Sequence, residues 1–144
     1  LGQSLITADG ESVPGAGVFP SRADYRPGRF STEVHGLDSQ GRESAGYINH
    51  LGHSELLEGA TPLMTLENPP EGLPVEEGLT APHLFATRVG GPALALNPHW
   101  AMDIVSETLA SRGLTPEPGE FHQRVEAAAS KARSLIIERL QSRR

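Results

Sequence analysis

The stretch LFATRVGGPALALNPHW, residues 84–100, carries the signals that decide the predicted fold. His83–Val89 is the best strand candidate, because its mostly apolar run is typical of a strand covered on both faces. Gly90-Gly91-Pro92 then makes a tight corner. Asn97 is suited to cap a helix and Pro98 to occupy its first position. The stretch therefore predicts a strand, a corner and a helix, an arrangement that can present a side chain at a strand end.

Two helices are predicted after the corner. The first ends at Gly113 and carries an apolar stripe at helical spacing, formed by Ala101, Ile104, Val105 and Leu109. The second runs from about Glu120 to Gln141, with a stripe formed by Phe121, Val125, Ala128, Ala132, Leu135, Ile136 and Leu140. We therefore expect one partial domain at 1–114, a linker at 115–119 and an amphipathic helix at 120–144. That helix packs on the same domain or binds a partner.

Upstream of the corner, the pattern predicts short strands separated by turns. The strands are expected at 17–19, 30–36, 45–51 and 62–66, and loops or turns at 8–10, 21–29, 38–41, 68–72 and 76–79. The chain thus reads as several short strands followed by two helices.

Composition excludes several classes of function. The 144 residues contain no cysteine, so this chain offers no disulfide, thiolate zinc site or thiol nucleophile. A net charge of −6 without a basic run disfavours nucleic acid, and no apolar run is long enough for a membrane span. A cytoplasmic location is expected. The first residue is Leu1 rather than Met, which suggests a fragment or a processing product.

Several segments, taken in order, resemble class I glutamine amidotransferases of the cobyric acid synthase type (CobB/CobQ-like). They are LGQSLITADGESVPGAGVF, GRFSTEV, AGYINHLGHSEL, GATPLMTL and LFATRVGGPALALNPHWAMDIV. The GYINH strand and the NPHWA helix start resemble most clearly the GatD-type subunits. Those subunits partner a Mur-ligase-like protein, MurT, in the amidation of lipid II.

The resemblance implies an α/β fold with a mixed open sheet and flanking helices, the flavodoxin-like C-terminal portion of such a domain. It also implies an activity: a Cys–His pair hydrolyses L-glutamine and supplies ammonia to an ATP-dependent ligase partner. No cofactor and no metal are implied. Arg29, Asn49 and His50 are the substrate-binding residues that it suggests.

Two departures affect this expectation. The family's nucleophile lies just upstream of Leu1-Gly2, outside this chain, and Gly90 stands where the family has its catalytic histidine. His83 and His99 are nearby in sequence, but neither is expected to replace it. The chain therefore has no predicted catalytic residue.

Two further functions remain open. One is a degenerate, non-catalytic relative that binds or scaffolds. The other is an unrelated hydrolase or metal protein that uses His50 and His53, with Glu55 or Glu58 as further ligands. Nucleotide binding is disfavoured because no phosphate-binding motif is present. An unpaired strand edge would be covered by a missing segment or by a second copy in a homo-oligomer.

Overall fold

A computed structural model describes residues 1–142 of the chain. Its strands are β1 (Ser4–Ile6), β2 (Ser12–Pro14), β3 (Ser21–Asp38), β4 (Glu43–Leu56), β5 (Met64–Leu66), β6 (Glu76–Glu77), β7 (Leu79–Ala81), β8 (Leu84–Ala86) and β9 (Val89–Gly90). Its helices are α1 (Ala93–Leu96), α2 (Pro98–Ala110) and α3 (Glu120–Ser142).

One long antiparallel hairpin, β3 with β4, organises the fold. The carboxylate of Asp38 closes its turn by accepting the backbone N–H groups of Gln40 and Arg42, each at 2.9 Å. Gly41 has a φ of 76°, a left-handed conformation that glycine adopts without a steric penalty. The predicted connection at 38–41 is confirmed.

Both ends of the hairpin extend into a mixed sheet. Near its turn, β5 pairs antiparallel with β3, and β9 pairs antiparallel with β4. At the open end, β1 pairs in parallel with β3, and β2 covers the edge of β1. The coarse prediction of an α/β fold with a mixed sheet and helices is confirmed.

The loop predicted at residues 21–29 is wrong, because these residues begin β3. The turn-like Pro27-Gly28 pair sits inside a wide bulge: residues 25–28 all oppose Gly52. Gly52 has a φ of 60°, and a Cβ there would lie 1.8 Å from the carbonyl oxygen of Asp24. A bulge thus keeps the strand continuous where local sequence indicates a loop.

The single strand predicted at His83–Val89 is also wrong. The structure divides it into β8, which pairs with β7 in a separate two-stranded sheet, and β9, which pairs with β4. Residues 84–86 are half-buried rather than covered on both faces. Residues 17–19 form no strand, and the turn predicted at 76–79 is instead β6, Gly78 and the first residue of β7.

Side-chain alternation gives the hairpin two faces. The core face carries Val34 and Ile48, which pack with Leu63, Met64, Leu66, Leu73, Val89 and Trp100. The opposite face is covered near the turn by α3, where Arg139 binds Glu33. We call it the α3 face.

Asn97 does not cap α2 through its side chain. Its fully buried amide instead pairs with the backbone of Ala45, accepting from the N–H at 3.0 Å and donating to the carbonyl at 2.9 Å. β9 pairs with Tyr47 and Ile48 of β4, and the Asn97 side chain makes the next pair of hydrogen bonds along the same edge, at Ala45. It thereby joins the segment after the corner to the sheet.

The predicted apolar stripes are only partly correct. In α2 the fully buried side chain is Trp100, outside the predicted stripe, whereas Val105 is exposed. In α3 the buried residues are Ala129, Arg133 and Ile136. Phe121 and Leu135, predicted to be buried, are 72% and 57% exposed. Among residues 1–142, no helix combines the length and apolar character required to cross a membrane.

Candidate functional site

A cavity of about 400 Å³ lies on the core face at the open end of the hairpin. One part of its wall is apolar and includes Leu5, Phe19, Leu56, Leu73 and Leu79. The rest is polar and includes Tyr25, His50, His53, Ser54, Glu76, Glu77, Thr87 and Arg88. Its size and mixed lining are typical of sites for small metabolites.

A buried carboxylate fixes the polar wall. Glu77 is 6% exposed and accepts the Thr87 hydroxyl at 3.0 Å and the Arg88 backbone N–H at 2.7 Å. Thr87 Oγ1 in turn accepts the N–H of Val89 at 3.0 Å. These bonds explain why the predicted strand is interrupted between β8 and β9. Thr87 and Arg88 bind Glu77 of β6 instead of pairing with a neighbouring strand.

Arg88 extends from this break across the open end of β4. Its guanidinium donates to the carbonyl oxygen of Leu51 and contacts the hydroxyl of Ser54 at 3.5 Å. Burial lowers the pKa of Arg88, and the charges of Glu77 and Tyr25 oppose that shift. Because a guanidinium titrates far above neutral pH, Arg88 stays positively charged at the cavity wall.

His50 lines the same cavity with a defined tautomer. Its Nδ1 lies 3.0 Å from the carbonyl oxygen of Gly52, which can only accept, so Nδ1 carries the proton. Its Nε2 is buried and has no hydrogen-bond partner among the described residues. Burial, and then the charge of Arg88, lower the pKa of His50. The neutral ring therefore presents an unprotonated Nε2.

His53 also lines the cavity, and its buried Nδ1 has no hydrogen-bond partner within residues 1–142. Its Nε2 lies 3.9 Å from Glu55. Across those residues, no group of three or more His, Cys, Asp or Glu side chains is arranged to hold a metal ion. The two histidines thus place ring nitrogens at the cavity wall without a third metal ligand among residues 1–142.

The suggested substrate-binding residues do not come together. Arg29 donates to the side-chain oxygen of Asn49 at 3.0 and 2.6 Å, and both side chains are exposed on the α3 face. His50 lies on the core face, because neighbouring residues of a strand project to opposite sides. Only His50 of the three lines the cavity.

The corner itself is divided between the two faces. Thr87 and Arg88 line the cavity together with Leu1 and Gly2, so the start of the chain and the approach to the corner share one space. Gly90 pairs with Tyr47 in the half of β4 nearer the hairpin turn, and it does not line the cavity. A side chain at position 90 would project to the α3 face, as Tyr47 does.

Neither His83 nor His99, which lie near the corner in sequence, lines the cavity. The side chain of His83 is 79% exposed and lies 3.5 Å from Glu107. The side chain of His99 is 12% exposed, with Nε2 at 3.0 Å from the Ser44 hydroxyl and 3.6 Å from Asp38. This Ser–His–Asp cluster is not a catalytic triad, because both partners contact the same ring nitrogen and Ser44 is fully buried.

Sequence reasoning missed Arg88 and Glu77. Arg88 is a charged residue inside an apolar run. That position was the one local sign that its side chain needs polar partners elsewhere in the fold. Glu77 stood in a predicted turn and carried no sign of burial. Their proximity depends on the pairing of β5 with β6, which a single sequence does not reveal.

No protein-family model matches this chain, and a comparison with characterised proteins finds no significant match.

Proposed function

We propose that this chain is a glutamine amidotransferase-like subunit of the cobyric acid synthase or GatD type, which binds L-glutamine in the cavity. The observation that supports it is the shared cavity of Leu1-Gly2 and Thr87-Arg88. The family resemblance requires the start of this segment to meet the corner at Gly90. Thr87 and Arg88, directly before that corner, share the cavity with Leu1 and Gly2, whereas Gly90 does not line it. The parallel pairing of β1 with β3 supports the flavodoxin-like sheet that belongs to the same proposal.

Within this proposal the role of the chain is binding rather than hydrolysis. The 144 residues contain no thiol, and position 90 is a glycine that faces away from the cavity. Neither nucleophile nor corner histidine is therefore available from these residues. The non-catalytic binding or scaffolding subunit is the form of the function that the geometry favours.

An ATP-dependent amide ligase, Mur-ligase-like or of another type, is the proposed partner, and it would sense the glutamine that this chain binds. Glutamine and ATP are both cytoplasmic metabolites, so the cytoplasm is the proposed compartment.

Titration calorimetry with L-glutamine tests the binding function. We expect a dissociation constant of roughly 1 μM to 1 mM, the range in which enzymes bind metabolites. L-Asparagine, one methylene shorter, serves as the matched ligand and should bind more weakly. No detectable heat with glutamine at millimolar concentration would contradict the proposal.

Ammonia release from Gly90→His tests the non-catalytic form. A Cβ at position 90 would meet only the Tyr47 carbonyl oxygen at 3.6 Å, an ordinary contact, so the variant should fold. We expect no glutaminase activity, because the chain contains no thiol nucleophile and the imidazole would lie on the α3 face. Activity above that of the unmodified chain would show that position 90 does reach the substrate.

A further inference from the structure

Arg88 differs from the other partly enclosed arginines in its partners. Arg42 binds two aspartates, and Arg133 binds Glu126 at 2.6 Å. Arg88 donates only to a backbone carbonyl and, weakly, to a serine hydroxyl. Among residues 1–142, no carboxylate forms an ion pair with it. The Glu77 carboxylate acts on this guanidinium through its charge but binds the Arg88 backbone N–H, so the half-buried guanidinium keeps donors that an anion in the cavity would satisfy.

His50 supplies the complementary half of the site. Its protonated Nδ1 is held by the Gly52 carbonyl, and its bare Nε2 has no protein donor within residues 1–142. A neutral imidazole in this state accepts a hydrogen bond from an N–H or O–H group. The cavity wall therefore contains one cation and one buried acceptor that has no partner among residues 1–142.

We propose that Arg88 binds the carboxylate of the cavity ligand, and that His50 Nε2 accepts a hydrogen bond from an amide N–H of the same molecule. The ligand class is a small amino-acid amide with a free α-carboxylate. This inference rests on the proposed glutamine-binding function, and it assigns the recognition to Arg88 rather than to Arg29, which is bonded to Asn49 on the other face.

The same two contacts explain selection against close analogues. A second carboxylate in place of the amide would bring an anion against the lone pair of His50 and toward the acidic Glu76 and Glu77. L-Glutamate should therefore bind less well than L-glutamine. An amide in place of the α-carboxylate would leave Arg88 without its anion.

A ligand comparison on the unmodified chain tests this assignment without mutation. Calorimetry compares L-glutamine, L-glutamate and L-glutaminamide, in which an amide replaces the α-carboxylate. We expect L-glutaminamide to bind at least about tenfold more weakly, since a hydrogen bond to a charged group contributes at least this factor. Equal binding of L-glutamine and L-glutaminamide would overturn the role of Arg88.

Variants then locate the recognition. Arg88→Met should weaken L-glutamine binding at least about tenfold and abolish the difference between L-glutamine and L-glutaminamide. Arg88→Lys keeps the charge but loses the two-pronged geometry, so it should recover part of the affinity. Arg112→Met, an exposed arginine beyond the end of α2, is the matched control and should bind as the unmodified chain does. Thermal unfolding of each variant shows that it is folded.

The outcomes separate this inference from the proposed function. If L-glutamine binds but only Arg29→Met weakens it, the proposed function stands and the assignment to Arg88 is wrong. If L-glutamine does not bind, glutarate and N-acetylglycine are titrated as alternative carboxylate probes. Binding of either that depends on Arg88 supports the anion site and contradicts the glutamine function. Binding of none contradicts both.

Discussion

At the scale of single residues, the fold depends on polar groups that bond to partners distant in sequence. Asn97 and Glu77 are buried, and each satisfies backbone groups of another segment. Their residue types suggested a helix cap and a turn, because local sequence does not show which backbone a side chain will meet. The hairpin turn at Asp38 was predictable, since its carboxylate accepts the backbone N–H groups of Gln40 and Arg42, which are close in sequence.

Replacing Asn97 should be costly. Its amide makes two bonds to Ala45 and one to the Ala93 carbonyl at 2.8 Å, all at a buried position. We expect Asn97→Ala to lower the free energy of unfolding by about 2–4 kcal/mol, because buried backbone groups lose their partners. Urea unfolding measures this, with Gln123→Ala on the exposed side of α3 as the control. A loss below about 1 kcal/mol would show that water replaces the amide.

Asp24 should make the stability of the protein depend on pH in the acid range. Hydrogen bonds from the Arg26 side chain and backbone lower its pKa from 3.8 to about 2. A carboxyl whose folded pKa is depressed stabilises the fold above the unfolded pKa, and loses that contribution as pH falls toward 2. Stability should therefore decline between about pH 5 and 2.

Urea unfolding of Asp24→Asn at several pH values measures this contribution. The variant should be less stable than the parent at pH 6 and should lose less stability on acidification. Parallel curves for the two proteins across this range would mean that Asp24 does not carry the effect. The other carboxyl groups with a lowered pKa, those of Asp9 and Asp38, are present in both proteins and contribute equally to each.

At the scale of elements, hydrophobic periodicity predicted the presence of the helices and of most strands. It was less successful in predicting what those elements contact. The α2 and α3 helices lie where their apolar spacing and Gly113 placed them. The continuity of β3 through Pro27-Gly28, and the break between β8 and β9, were not predictable. Both depend on pairing partners, Gly52 in one case and Glu77 in the other.

Two neighbouring residues of α3 test which of its faces is buried. Ile136 is 9% exposed, whereas Leu135 is 57% exposed, although the sequence places both in the apolar stripe. We expect Ile136→Ala to lower the free energy of unfolding by about 2–4 kcal/mol and Leu135→Ala by less than about 1 kcal/mol. Chemical denaturation compares them directly. Equal costs would mean that α3 packs through a different face.

At the scale of the whole molecule, the long hairpin separates two surfaces that the sequence had joined into one site. Arg29, Asn49 and Gly90 belong to the α3 face, whereas His50 and Arg88 belong to the cavity. The spacing of motifs in the sequence cannot show whether two residues lie on the same face of the hairpin or on opposite faces. A shift of one residue along a strand moves a side chain to the other face of the sheet. Leu1 and Thr87 line the same cavity, whereas Gly90 does not line it.

The most direct measurement is a ¹H–¹⁵N NMR titration of the chain with L-glutamine. Binding in the cavity should shift the backbone amides of residues 50–54, 76–78 and 86–88, and the imidazole resonances of His50. The chemical-shift changes of the Ser31 and Asn49 amides, whose side chains lie on the α3 face, should be no larger than those of residues remote from both surfaces. Shifts centred on Arg29, Asn49 and Gly90, or no shifts at saturating glutamine, would contradict a ligand site between His50 and Arg88.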